Sequence, residues 1–194
     1  MSPRRLALLV LVLTTAGGLA ACTDAASVSF DPTGPCTTDG SAPGAYPELE
    51  ARVPASYEGR APDTLDSGRH CTVDSLGTLA EAGITDVRFA GGTWGFGAER
   101  AAALVVFTAP GLTADQIAEF YSTSAKAANR TQVTGESTPT LAERPGHRLD
   151  TKTGERQQTV VVWPAADADR VNVVITNDLP DPKIQAAVDA FAGQ

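Results

Sequence analysis

The chain has 194 residues, 42% of them hydrophobic and 20% charged, which is enough to bury one sizeable core and fits a single globular domain. Its formal charge of −8 excludes a nucleic-acid surface and excludes adsorption to anionic lipid by charge alone. Three cysteines and two histidines, scattered along the chain, are a poor basis for a zinc site.

The chain starts Met1-Ser2-Pro3-Arg4-Arg5, runs unbroken and apolar from Leu6 to Leu13, and reaches Leu19-Ala20-Ala21-Cys22. The apolar run is too short for a permanent span, which needs about 20 residues to cross ~30 Å of hydrocarbon. Two arginines, a short apolar segment and small residues closed by a cysteine resemble a bacterial lipoprotein signal with its lipobox. The resemblance implies that residues 1–21 are a signal peptide, cut off after Ala21. It also implies that Cys22 carries a diacylglyceryl group on its thiol, and that the protein sits lipid-anchored on the extracytoplasmic face of a cell membrane. Acylation of the new amino group, as with palmitate, is left open. Losing Arg4 and Arg5 takes the charge from −8 to −10, so the acyl chains must hold the protein, at ~0.8 kcal/mol per buried methylene.

With Cys22 lipidated, Cys36 and Cys71 remain as an even pair in a compartment that permits disulfides. A bridge between them is expected. The alternative, a metal held with the help of His70, lacks a convincing fourth ligand. Residues 22–45 are Thr, Asp, Ala, Ser, Gly and Pro with little to bury and read as a flexible tether, leaving 46–194 as one domain.

Within that domain Pro47 to Val53 reads as a short helix, with Pro47 in the first turn and Glu48 and Glu50 near its positive end. Tyr57 to Leu65, broken by Gly59 and Pro62, is an irregular edge strand at best. Thr72 caps a predicted helix with Val73, Leu76, Leu79 and Ala80 on one face, stopped at Gly83. Val87 to Ala90 and Ala101 to Thr108 read as strands joined through a glycine-rich loop, Gly91 to Gly97. Thr113 and Gln116 form a capping box for a helix to about Asn129, with Ile117, Phe120, Tyr121, Ser124 and Ala128 on one face. Thr131 to Gly135, Arg148 to Thr151, Gln157 to Trp163 and Val171 to Asn177 follow as an antiparallel meander. Asp181-Pro182 opens a terminal helix with Ile184, Ala187, Val188 and Phe191 inward.

Val105-Val106-Phe107-Thr108, with Leu112 and Ile117 beyond, echoes Val173-Val174-Ile175-Thr176, with Leu179 and Ile184 beyond, at equal spacing. A hairpin followed by a helix, used twice, predicts an α+β domain: a mostly antiparallel sheet with helices packed on its faces. From Ala102 onward the order of strand, long helix, meander with a Thr-Gly turn and terminal helix resembles the PsbP-like fold of small envelope lipoproteins. That resemblance covers about half the chain. It implies a groove between sheet and helix able to take a lipid, a glycolipid or a partner protein.

Trp94 and Phe96, aromatics among glycines, form the candidate binding lip. The same glycines have no Gly-Lys-Ser/Thr and no helix start, so they are not a phosphate loop. Ser122 and Lys126 are four apart where the penicillin-binding serine enzymes need three, and Lys152-Thr153-Gly154-Glu155 reads as a hairpin turn. His147 and Asp150 fall on opposite faces of a strand and form no pair. Asp167, Asp169, Asn177, Asp178 and Asp181 read as turn and cap residues rather than calcium ligands. The expectation is a non-enzymatic binding module with no catalytic, cofactor or metal residues, whose partners are the membrane and a small apolar ligand. The alternative is a domain docking onto another envelope protein; an enzyme ranks third, resting on the isolated histidines.

Overall fold

Alternation of apolar residues builds the centre of the molecule, seen here in a computed structural model that describes residues 30–191. The expected signal peptide, residues 1–21, and Cys22 lie outside the described residues. Along β9 (Arg156–Pro164), Val160 and Val162 face one side while Val161 and Trp163 face the other, and all four are at most 2% exposed. A strand buried on both faces must lie centrally with cover above and below. The other strands are β1 (Gly40–Ala42), β2 (Thr64–His70), β3 (Val87–Gly95), β4 (Ala101–Thr108), β5 (Thr131–Ser137), β8 (His147–Thr153) and β10 (Arg170–Asn177). They form one eight-stranded sheet in the order β1-β2-β3-β4-β10-β9-β8-β5, with every neighbouring pair antiparallel. A small hairpin, β6 (Thr140–Leu141) with β7 (Arg144–Pro145), leads into β8.

Helices cover both faces. On one, α4 (Ala114–Ala127) packs with the short turns α2 (Val73–Leu76) and α3 (Thr78–Glu81) over Val87, Leu149, Val160, Val162, Val171 and Val173. On the other, α1 (Pro47–Glu50) and α5 (Asp181–Ala190) cover Ala90, Trp94, Leu104, Val106, Val161 and Val174. The mostly antiparallel sheet with helices on its faces is therefore present, richer in strand than a balanced α+β fold. The capping box of α4 forms in full: the Thr113 side chain accepts from Gln116 N, and Gln116 reaches back to Thr113 N at 2.8 Å.

The internal echo holds in the strands and breaks in the helices. Val105 and Val173 face each other across the β4–β10 pair at the centre of the sheet. Leu112 then turns to the α4 face and Leu179 to the α5 face, so the two helices leave in opposite directions.

Four expectations need correction. The tether does not reach Ala45: β1 pairs with β2, Phe30 packs edge-on to Tyr46 at 6.4 Å, and the Arg69 guanidinium donates to the carbonyls of Asp31, Gly34 and Pro35. The buried arginine needs acceptors, and the small residues of this segment supply bare backbone for it. The glycine-rich stretch is not a loop, since β3 runs through Gly91 and Gly92 to Gly95. Those glycines mark close approach: a Cβ at Gly92 would lie 2.9 Å from the Trp94 ring and 3.2 Å from Pro62. The predicted helix after Thr72 is split by Gly77, at φ +51°, into α2 and α3. Asp181 does not cap α5; Pro180 holds that position and the Asp181 carboxylate pairs with Arg148.

Candidate functional site

Cys36 and Cys71 form a disulfide, their Cα atoms 5.8 Å apart. The bridge works with a polar knot next to it. Asp39 accepts from Cys71 N (2.7 Å), Thr72 N (3.1 Å), Thr72 Oγ1 (2.6 Å) and Ser75 Oγ (3.0 Å). Burial works to raise the Asp39 pKa, but these bonds to the ionised form outweigh it and hold the carboxyl below its usual range. His70 stacks on Phe89 at 4.8 Å, and burial depresses its pKa.

The candidate lip is overturned. Trp94 is fully buried, donates Nε1–H to the Arg60 carbonyl at 2.9 Å and meets the Tyr57 ring edge-on at 5.8 Å. Alternation along β3 sends it to the α5 face together with Ala90. Phe96 is half-buried against Tyr57, with the Arg60 guanidinium and the Lys183 ammonium over its ring at 5.4 and 4.9 Å. Tyr57 Oη donates to the Lys183 carbonyl, and burial, with the charge of Glu58 adding, pushes its pKa up to about 12. These side chains fasten α5 to the sheet and present no lip.

The concave surface lies elsewhere, on the α4 face. A groove of about 440 Å³ runs between α4 and the β5–β8–β9 end of the sheet. Its deepest lining is apolar: Leu149, Val160 and Val162 from the sheet, all nearly buried, and the half-buried Ala118 from the helix. Asp115, Ala118, Glu119 and Ser122 recur at i, i+3, i+4 and i+7, which places them on one side of α4 facing the groove. Two ties cross it. His147 Nε2–H donates to Asp115 Oδ1 at 2.7 Å, and Glu136 of β5 accepts from Ser122 Oγ at 2.6 Å and pairs with Lys126 at 2.9 Å. The Ser122 bond, then Lys126, holds the Glu136 pKa below the ordinary carboxylate range. Between the ties stands Glu119, exposed and without a hydrogen-bond or ion-pair partner among the described residues.

On the opposite face a polar cleft of about 420 Å³ borders the start of α5. Arg148 is fixed there by Asp150 (2.9 Å) and Asp181 (2.7 Å), with Thr159 Oγ1 donating to Asp150 at 2.6 Å. The Asp150 bond chiefly, then Asp181, keeps the guanidinium pKa raised against the effect of burial.

His147 and Asp150 stay apart, as the strand alternation predicts; the carboxylate that finds His147 comes from α4 instead. Ser122 and Lys126 converge on Glu136, and Lys152-Thr153-Gly154-Glu155 is the β8–β9 turn. Asp167 pairs with Arg170, Asp169 caps Gly111 N, and Asp178 caps Gln157 N. Among the described residues no group of three or more His, Cys, Asp or Glu is placed to hold a metal ion, and no helix is long and apolar enough to cross a membrane.

None of the known family models and none of the curated proteins matches the chain.

Proposed function

We propose that the protein is an extracytoplasmic lipoprotein, anchored through Cys22, whose domain is a binding module for a small amphipathic ligand such as a lipid or glycolipid. The anchor rests on Leu19-Ala20-Ala21-Cys22 behind a charged and apolar leader. The binding role rests on one observation, the α4–sheet groove: apolar floor, polar rim, and a size suited to part of a small ligand. Its rim groups Asp115, His147, Ser122 and Glu136 are paired with one another, which leaves Glu119 as the rim group open to a ligand among the described residues. The groove also lies between sheet and long helix, where the likeness in element order to the PsbP-like fold would put a ligand.

The test uses N-phenyl-1-naphthylamine, a neutral apolar dye that brightens on leaving water. Its fluorescence is expected to rise with the protein and to stay flat with Ala118→Phe, which fills the groove from an incompletely buried helix position while the thermal midpoint is unchanged. No rise with the wild-type chain, or an equal rise with the variant, would overturn the groove as ligand seat.

A further inference from the structure

Resting on that reading, we infer that the ligand of the groove carries a cationic head, an amine or ammonium on an apolar chain, and that a fatty acid is the wrong ligand. Three carboxylates, Asp115, Glu119 and Glu136, line the groove, while Arg148, which also borders it, turns its guanidinium to the opposite face. That guanidinium is already taken by Asp150 and Asp181. Glu136 is engaged by Ser122 and Lys126, and Asp115 by His147. Glu119 is the carboxylate left over, one helical turn from Asp115 and directly beside Ala118 on the groove wall.

A chain entering the groove beside Ala118, over the nearly covered Leu149, Val160 and Val162, therefore brings its head within reach of an uncommitted negative charge. An ammonium gains an ion pair together with a hydrogen bond there, an alcohol gains the hydrogen bond without the ion pair, and a carboxylate meets like charge with no free cation to answer it. The overall charge of the chain, −8, works in the same direction by attracting cations and repelling anions before contact.

The experiment compares octylamine, 1-octanol and octanoate by titration calorimetry at pH 7, on the full chain carrying Cys22→Ser so that no acyl group competes. The three share one chain and differ only in the head. Octylamine is expected to bind about tenfold tighter than octanoate, with octanol between, and salt is expected to narrow the gap. Glu119→Gln is expected to bring amine and carboxylate close together while shifting octanol least, since the amide oxygen still accepts its O–H. Octanoate binding as well as octylamine, or a preference that survives Glu119→Gln, overturns the cationic head while the groove stands. Failure of all three to bind removes the groove as a ligand seat, and the head-group assignment falls with it.

Discussion

Replacing Trp94 with alanine separates a core role from a surface role for the aromatics of β3. The ring is fully buried under α5, and truncating a buried aromatic costs ~3–5 kcal/mol. The Arg60 carbonyl also loses its indole donor, which adds about 1 kcal/mol if no water replaces it. The expected loss is thus about 5 kcal/mol, a large part of the ~5–15 kcal/mol that stabilises a typical domain. With a urea dependence of about 2 kcal/mol per molar, the midpoint falls by roughly 2.5 M. Phe96→Ala, at a half-exposed position, is expected to cost about 1–2 kcal/mol, from lost contact with Tyr57 and the cations over the ring. Urea melts followed by near-ultraviolet circular dichroism read both. A Trp94→Ala midpoint within about 0.5 M of wild type would mean that the ring is not core, and would refute the reasoning.

Further outcomes follow from other features. Cys36→Ser with Cys71→Ser removes the bridge across 35 residues of sequence and is expected to cost roughly 3–4 kcal/mol in the same melts; two free thiols by mass spectrometry in protein from its native envelope would contradict the bridge. Asp39→Asn should cost stability at neutral pH, because the folded-state pKa lies below the unfolded value of 3.8: the contribution is full above that value and is lost as pH falls through the lower one. The gap between wild type and variant should accordingly be constant above about pH 5 and close in stronger acid; a gap independent of pH would show that the charge plays no part. Ala142 and Glu143, at φ +47° and +64° in the β6–β7 turn, occupy positions that favour Asn and Gly, so Ala142→Asn with Glu143→Gly should stabilise by about 1 kcal/mol in thermal melts; a loss would mean that the turn is held by its side chains. Cys22→Ser should move the protein out of the membrane fraction or leave it uncleaved, and a processed, membrane-bound variant would end the lipobox reading.

Where pattern is set by burial on a regular element, the chain could be read directly. Ile117 and the Thr113–Gln116 box define α4, and the valines of β9 and β10 define the centre of the sheet. Where close approach sets the residue choice, the pattern misleads. Gly91 and Gly92 look like a loop because nothing local says that Val105, Trp94 and Pro62 will crowd them. The sequence Thr64–His70 has Leu65 as its one large aliphatic residue, and it becomes β2 because β1 and β3 flank it and Arg69 finds distant carbonyls. The groove was hidden for a related reason. Asp115, Glu119 and Ser122 look like the solvent face of a helix, and only the sheet end, with His147 and Glu136, turns that face into a wall. The helical spacing of 115, 118, 119 and 122 next to the Ile117 face was the available signal.

Native mass spectrometry of the protein purified from the cells that make it tests the binding role most directly, with wild type and Ala118→Phe prepared side by side. A discrete small-molecule mass retained by the wild type and absent from the variant is expected. A bare chain in both, or the same adduct in both, would contradict a ligand seated between α4 and the sheet.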